Sequence, residues 1–267
     1  MAIKRIEKER KETYQQLSQP IKSEIDNIRK KIQNVEVSSM RESGWGDYKY
    51  FIVANLYTEI AINYIKMNRI SVHVMDLKQD ELLENARKSL YNAIANLEKL
   101  AGDVLDGDLN EISERLNNIP RMTPYRRLYL VKKIELTLKV LSEELEGGKW
   151  KYKLLEMFSK LAVVAKNLIN FREFTSMSPM NPNYRYYNEL ISYAKDLMKK
   201  SADDYREKYE ISGHEVADMR KAQEFLKAIM RINNVLGYYE ESKEIKKIID
   251  KWSQKMEEDL KVKENRK

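Results

Sequence analysis

The residues that break helices constrain this chain more than any motif does. Eight glycines and five prolines stand in 267 residues, below the average usage of both, and nearly all fall at a few places. Gly44 and Gly46, Gly102 and Gly107, Pro120 and Pro124, Gly147 and Gly148, Pro179 and Pro182, Gly213 and Gly237 separate long runs that contain neither residue. Runs of that length suit helices, not sheets with many turns. Pro20 is the exception. Either Ser18 caps a helix there or the first helix kinks.

Between breaks the apolar residues keep steps of three and four. Tyr14, Leu17, Ile21, Ile25, Ile28, Ile32 and Val35 form one stripe, and Leu83, Ala86, Leu90, Ile94, Leu97 and Ala101 another. Leu130, Ile134, Leu138, Leu141 and Leu145 follow, then Ile245, Ile249, Trp252, Met256 and Leu260. Each predicts an amphipathic helix with one buried face. Arg69 to Leu77, RISVHVMDL, alternates like a strand. With no second strand to pair with, it is read as an extended loop or helix end. The fold class is therefore all-α, with no sheet.

Two segments are apolar on most sides. In residues 48–67, Tyr50, Ala54, Tyr57, Ala61 and Tyr64 run beside Val53, Leu56 and Ile60; in 150–173, Leu154, Phe158, Leu161, Ala165 and Leu168 run beside Leu155, Ala162 and Ile169. Such helices are wrapped by several others, so the three tyrosines are expected in the core. Two hubs predict two helical bundles, over residues 1–118 and 119–267. The linker lies near Asp103 to Pro124 or is carried by a continuous helix. A first helix of some 35 residues would span about 50 Å, so the molecule is expected to be elongated. Tetratricopeptide-like helix pairs fit WGDYKYF in part, though the spacing is too irregular for a strict repeat.

Charged residues make up 34% of the chain, which suits long helices with charged surfaces. The net charge of +7 is uneven: residues 41–120 hold nine basic against thirteen acidic residues, and 121–174 twelve against six. Opposed charge favours self-association or a partner with both signs. Nucleic acid is not an expected partner, because most lysines have a glutamate close by. Without cysteine there is no disulfide, thiolate chemistry or Cys-ligated zinc. Met1 to Glu12 lacks the apolar core of a secretory leader, and no apolar run approaches a membrane span, so no membrane insertion is expected.

No constellation supports catalysis, a cofactor, a metal or a small-molecule substrate, and the chain is read as not an enzyme. DVLDGD, Asp103 to Asp108, lacks the ligand spacing of a calcium loop and reads as an acidic turn. His73 and His214 sit in unrelated contexts, without the spacing of a di-iron bundle or a triad partner. Residues 174–193, FTSMSPMNPNYRYYNELISY, read as a long loop running into Tyr184, Arg185, Tyr186 and Tyr187. Tyrosine with arginine is the composition of protein-binding hot spots; the alternative is a tether whose tyrosines pack inward. Arg126 and Arg127, in PYRRLY, form a weaker parallel at another helix start. Trp45 and Tyr48 are either an exposed anchor or a hydrophobic staple.

The stretches SGWGDYKYFIVANLYTEIAINY and FTSMSPMNPNYRYYNELISYAKDL, in an all-helical chain of this size, resemble the spirochaete flagellar-coiling protein family. That resemblance implies a periplasmic, flagellum-associated structural protein. It would assemble laterally on the flagellin core, with other sheath proteins and copies of itself, and impose curvature on the filament for motility. Members carry an export leader, and Met1 to Glu12 is not expected to be one. The alternative expectation is a cytoplasmic, tetratricopeptide-like adaptor that binds peptides or partner proteins. On the structural reading the expected contacts are Trp45, Tyr48, Arg126, Arg127, Tyr184, Arg185, Tyr186 and Tyr187, whereas the adaptor would hold its peptide in a concave groove.

Overall fold

The computed structural model describes residues 2–41, 46–117, 119, 121–145 and 148–264; the side chains of 2–6, 39–41, 148, 149 and 264 lie outside it. The elements are α1 (Ala2–Arg41), α2 (Tyr48–Met75), α3 (Asp80–Ala101), α4 (Leu109–Asn117), α5 (Pro124–Glu144), α6 (Gly148–Asn167), α7 (Phe171–Ser176), α8 (Tyr184–Ile211), α9 (Val216–Val235) and α10 (Tyr239–Glu264). No strand occurs among the described residues. The all-α reading holds. Trp45 lies outside the described residues.

The chain forms two compact units, residues 1–100 with 129–154, and residues 101–128 with 155–267. The boundaries of these units fall at the end of α3 and within α5 and α6.

In the first unit, Ile25, Ile28 and Ile32 of α1 pack against Val53, Leu56, Ile60 and Met67 of α2. Leu83, Ala86, Leu90, Ile94 and Leu97 of α3 are fully buried, as are Ile134, Leu138 and Leu141 of α5. Each such Leu or Ile contributes about 1.5–3 kcal/mol relative to exposure. Tyr50, Tyr57 and Tyr64 are half-buried, a rim and not a core. Tyr64 Oη accepts from the exposed Arg29 Nη2 at 2.7 Å, which keeps that hydroxyl at the surface; burial, then Glu36, raises the Tyr57 phenol above its ordinary range.

Three local expectations are settled here. Pro20 lies inside an unbroken α1, and Ser18 is no cap, since its hydroxyl donates to Gln15 O at 3.3 Å. Leu17, placed on the α1 stripe by its spacing, is 50% exposed. RISVHV is the end of α2: Asp76 closes it in the left-handed region at φ 55°, its N–H donating to Val72 O. Buried Asn68 and Ser71 hold the turn, through Gln79 N to Asn68 Oδ1 (2.9 Å) and Ser71 Oγ to Leu77 O (2.6 Å).

The second unit packs α8 on α9, α9 on α10 and α4 on α7. The second hub is confirmed, with Leu161, Ala162, Val164, Ala165, Leu168 and Ile169 all solvent-free. Two polar residues inside this stretch hold the 102–108 turn. Lys166 Nζ donates to Leu105 O at 2.7 Å, and Asn167 Nδ2 to Gly102 O at 2.9 Å. The Asp108 carboxylate accepts from Asn110 N at 2.7 Å at the start of α4. Gly102 sits at φ 91°, where a Cβ would also meet Arg115 Nη1 at 3.1 Å. Gly102→Ala should therefore cost about 1–2 kcal/mol, read as a lower urea midpoint.

Candidate interaction surface

The stretches PYRRLY and NYRYY, 60 residues apart, meet in the second unit. Pro124 at the first turn of α5 is preorganised for helix, and Thr123 receives the Arg126 N–H on its hydroxyl at 3.4 Å. α8 begins after turns at 178–184, in which Asn181 Oδ1 accepts from Asn183 N and Asn181 N donates to Ser178 O. The loop spans 177–183, shorter than expected, because α7 continues to Ser176 and α8 takes up Tyr184 to Tyr193.

The two starts are joined below the surface by a polar network. Arg127 is 3% exposed. Its Nε donates to Met122 O at 2.7 Å, and its Nη1 to Leu168 O at 3.2 Å and Tyr187 Oη at 3.3 Å. Tyr187 is fully buried and donates its own hydroxyl proton to Glu173 Oε2 at 2.6 Å. Asn170 caps α7, its side-chain oxygen accepting from Glu173 N at 3.1 Å, which fixes the backbone that carries Glu173. Burial lowers the Arg127 guanidinium, opposed by Tyr187 and Glu173; burial also raises the Tyr187 phenol well above its ordinary range. A guanidinium, a phenol and a carboxylate thus satisfy one another, the Met122 carbonyl before α5 and the Leu168 carbonyl just past α6.

Arg127 and Tyr187 were expected on the surface, and burial takes them off it. Their sequence pattern, arginine and tyrosine at helix starts, suits a buried network equally well. The partly exposed layer above consists of Tyr125, Arg126, Tyr184, Arg185 and Tyr186. Tyr125 is 51% exposed and meets the half-buried Tyr186 edge-on, with ring centroids 5.1 Å apart. Tyr184 stacks on Phe174 at 5.2 Å. Arg126 Nη1 donates to Arg121 O at 2.9 Å, and Arg185 is exposed. Met180 stands at the loop tip, 92% exposed. Sequence reading ranked Tyr125 too low, because nothing local to PYRRLY shows that Tyr186 lies against it. Tyr48, in the first unit, stacks on Phe51 at 5.8 Å, in keeping with packing on its own helix start.

Among the described residues no group of His, Cys, Asp and Glu has the arrangement of a metal site, and no helix is long and apolar enough to cross a membrane.

No curated protein matches the chain. Among solved structures, one from a computational design of self-assembling cyclic protein homo-oligomers aligns over 96% of this chain and 99% of its own, at 14% identity and a TM-score of 0.30. That score is too low for the likeness to carry an argument. The TP0443 family, named for a protein of the spirochaete Treponema pallidum, has a family model that matches residues 10–260. The match agrees with the spirochaetal side of the resemblance and gives nothing for flagellar coiling. This helical chain belongs to the TP0443 family.

Proposed function

We propose that this chain is a non-enzymatic structural protein that works by binding other proteins, with the Tyr125–Tyr186 surface as a principal contact. One observation carries the reading: an edge-on pair of the exposed Tyr125 and the half-buried Tyr186, with Arg126 and Arg185 as sequence neighbours, above the internally satisfied Arg127–Tyr187–Glu173 network. Rigid aromatic side chains lose little conformational freedom on binding, and tyrosine and arginine dominate interface energetics. In its specific form we propose a periplasmic, flagellum-associated component that meets the flagellin core, other sheath proteins and lateral copies of itself. The likeness of the two quoted stretches supports this form, together with the spirochaetal namesake of the family. A cytoplasmic adaptor is the competing form.

The test is Tyr125→Ala with Tyr186→Ala in a spirochaete carrying the gene. Stability should stay within about 1 kcal/mol of wild type, as for partly exposed sites. Recovery of cross-linked protein complexes should fall about tenfold or more, the scale of losing a hot spot. Unchanged cross-linking would remove this surface from the reading. Wild-type protein that localises away from the flagellar filaments would remove the flagellar form alone.

A further inference from the structure

The corner between α8 and α9 sets a histidine against a carboxylate of α10. α8 closes with Gly213 at φ 80° and with His214 N donating to Tyr209 O at 3.0 Å, the bond of a Schellman turn. His214 follows at φ 60°, a left-handed conformation uncommon for a residue with a Cβ. Its ring lies edge-on to that of Tyr209, with centroids 5.0 Å apart. Its Nδ1 is sealed from water, has no hydrogen-bond partner and lies 3.4 Å from Asp259 Oδ2. The same carboxylate accepts from Tyr209 Oη and Lys255 Nζ, both at 2.9 Å, and Lys263 Nζ donates to His214 O at 3.0 Å. These polar ties carry the end of α10. Ile249 and Trp252 are buried, but the described side chains past Trp252 are at best half-buried, and Leu260 and Val262 are exposed.

We propose that His214 is a pH-operated latch: protonation of its imidazole ties the last turns of α10 to the α8–α9 corner through Asp259, and loss of the proton lets them fray. As an imidazolium the ring donates from Nδ1 and places a full charge beside the carboxylate. Neutral, it turns a lone pair on Asp259 or offers an uncharged N–H across a distance too long for a good bond. Around it α8 contributes Glu210, paired with Arg206, and Lys208, paired with Asp218 of α9. α10 contributes Lys255, Glu258, Asp259 and Lys263. Imidazole is the side chain whose charge ordinarily changes between about pH 5 and 8, and carboxylates and ammonium groups ordinarily change outside that window. The bond from Lys255 holds the Asp259 carboxyl below its usual range, and burial pushes the Tyr209 phenol up to about 12. The sign follows from linkage. A proton that strengthens docking stabilises the docked helix in acid, and that contribution is lost as pH rises through the histidine range. The latch uses no residue of the tyrosine surface.

The experiment follows millisecond hydrogen exchange of the full chain at about pH 5.5 and about pH 8, on either side of the imidazole range. Rates are normalised to unstructured peptide. Wild-type amides of residues 256–263 should be about three- to fivefold better protected at the lower pH, the scale of a partly exposed ion pair. His214→Asn tolerates the left-handed backbone and has no charge to gain, so it should keep the wild-type alkaline level at both pH values. Asp259→Asn retains an acceptor for Tyr209 and should also erase the difference, which keeps the test alive should His214→Asn disturb the turn. His73→Gln, at the chain's other histidine, should preserve it. Equal wild-type protection at the two pH values, a difference that survives in either Asn variant, or its loss in His73→Gln would each overturn the proposal. So would a matching difference across the α9 amides, because the whole unit would then be responding and not the end of α10.

Discussion

Arg127→Ala is expected to cost the intact protein about 3–5 kcal/mol, the usual loss when one partner of a buried charged network is removed. The guanidinium is 3% exposed and bonds to Met122 O, Leu168 O and Tyr187 Oη. Its removal leaves both carbonyls without this donor and opens a cavity in an interior that packs like a solid. Tyr187→Phe should cost about 1.5–3 kcal/mol, because the hydroxyl bonds two charged groups while the ring keeps its place 5.8 Å from Phe174. Combined, the two changes should cost less than their sum, by about 0.5–3 kcal/mol, since they remove one shared interaction. Urea unfolding followed by Trp252 fluorescence, with Trp45 and Trp150 replaced by phenylalanine, reads the second unit, where Trp252 is buried. The midpoint should fall with the denaturant slope unchanged. A loss below about 1 kcal/mol for Arg127→Ala would mean the network is solvated and the surface above it unsupported.

The same network shows where sequence reading succeeds and where it stops. Helix positions and hub faces follow from periodicity, since burial on a helix repeats every three or four residues: all of Leu83 to Leu97 on the α3 stripe is solvent-free. Leu17 fails because periodicity tells which face is apolar and not whether a neighbour reaches it. The alternating RISVHV turns out to be a helix end, one of the two readings left open, because a strand-like pattern of β-branched residues can continue a helix when Asn68 and Ser71 are bonded from the next turn. At the candidate site, composition singled out both stretches, PYRRLY and NYRYY, but could not sort them. Arg126 and Arg127 are neighbours in sequence, about 100° apart around the helix, and one faces solvent while the other is buried. Nothing in RINNVL distinguishes Asn233 from its neighbour Asn234, and only the structure shows that the Asn233 amide is buried without partners.

Lys166→Met is expected to stabilise the protein near neutral pH and to lose that advantage in alkali. Lys166 is 2% exposed, and burial holds its ammonium at about 8, down from the ordinary 10.5. Below the folded value both states carry the proton and the fold bears the cost of a buried charge, about 3 kcal/mol. Between about 8 and 10.5 the folded protein has released a proton that the unfolded chain still holds, so wild-type stability rises with pH across that window. Tyr187 and Tyr209 act oppositely above pH 10, because burial raises both phenols and the folded state keeps protons the unfolded chain loses. Those tyrosines are common to both proteins, so the wild-type minus variant curve isolates Lys166. Methionine fills similar space and gives up the bond to Leu105 O, worth about 1 kcal/mol. The variant should therefore be about 2 kcal/mol more stable near pH 7, and about 1 kcal/mol less stable once the lysine is neutral in both states. A difference curve that stays flat from pH 7 through 10.5 would contradict a buried ammonium. It would also leave the 102–108 turn without the charged anchor assigned to it.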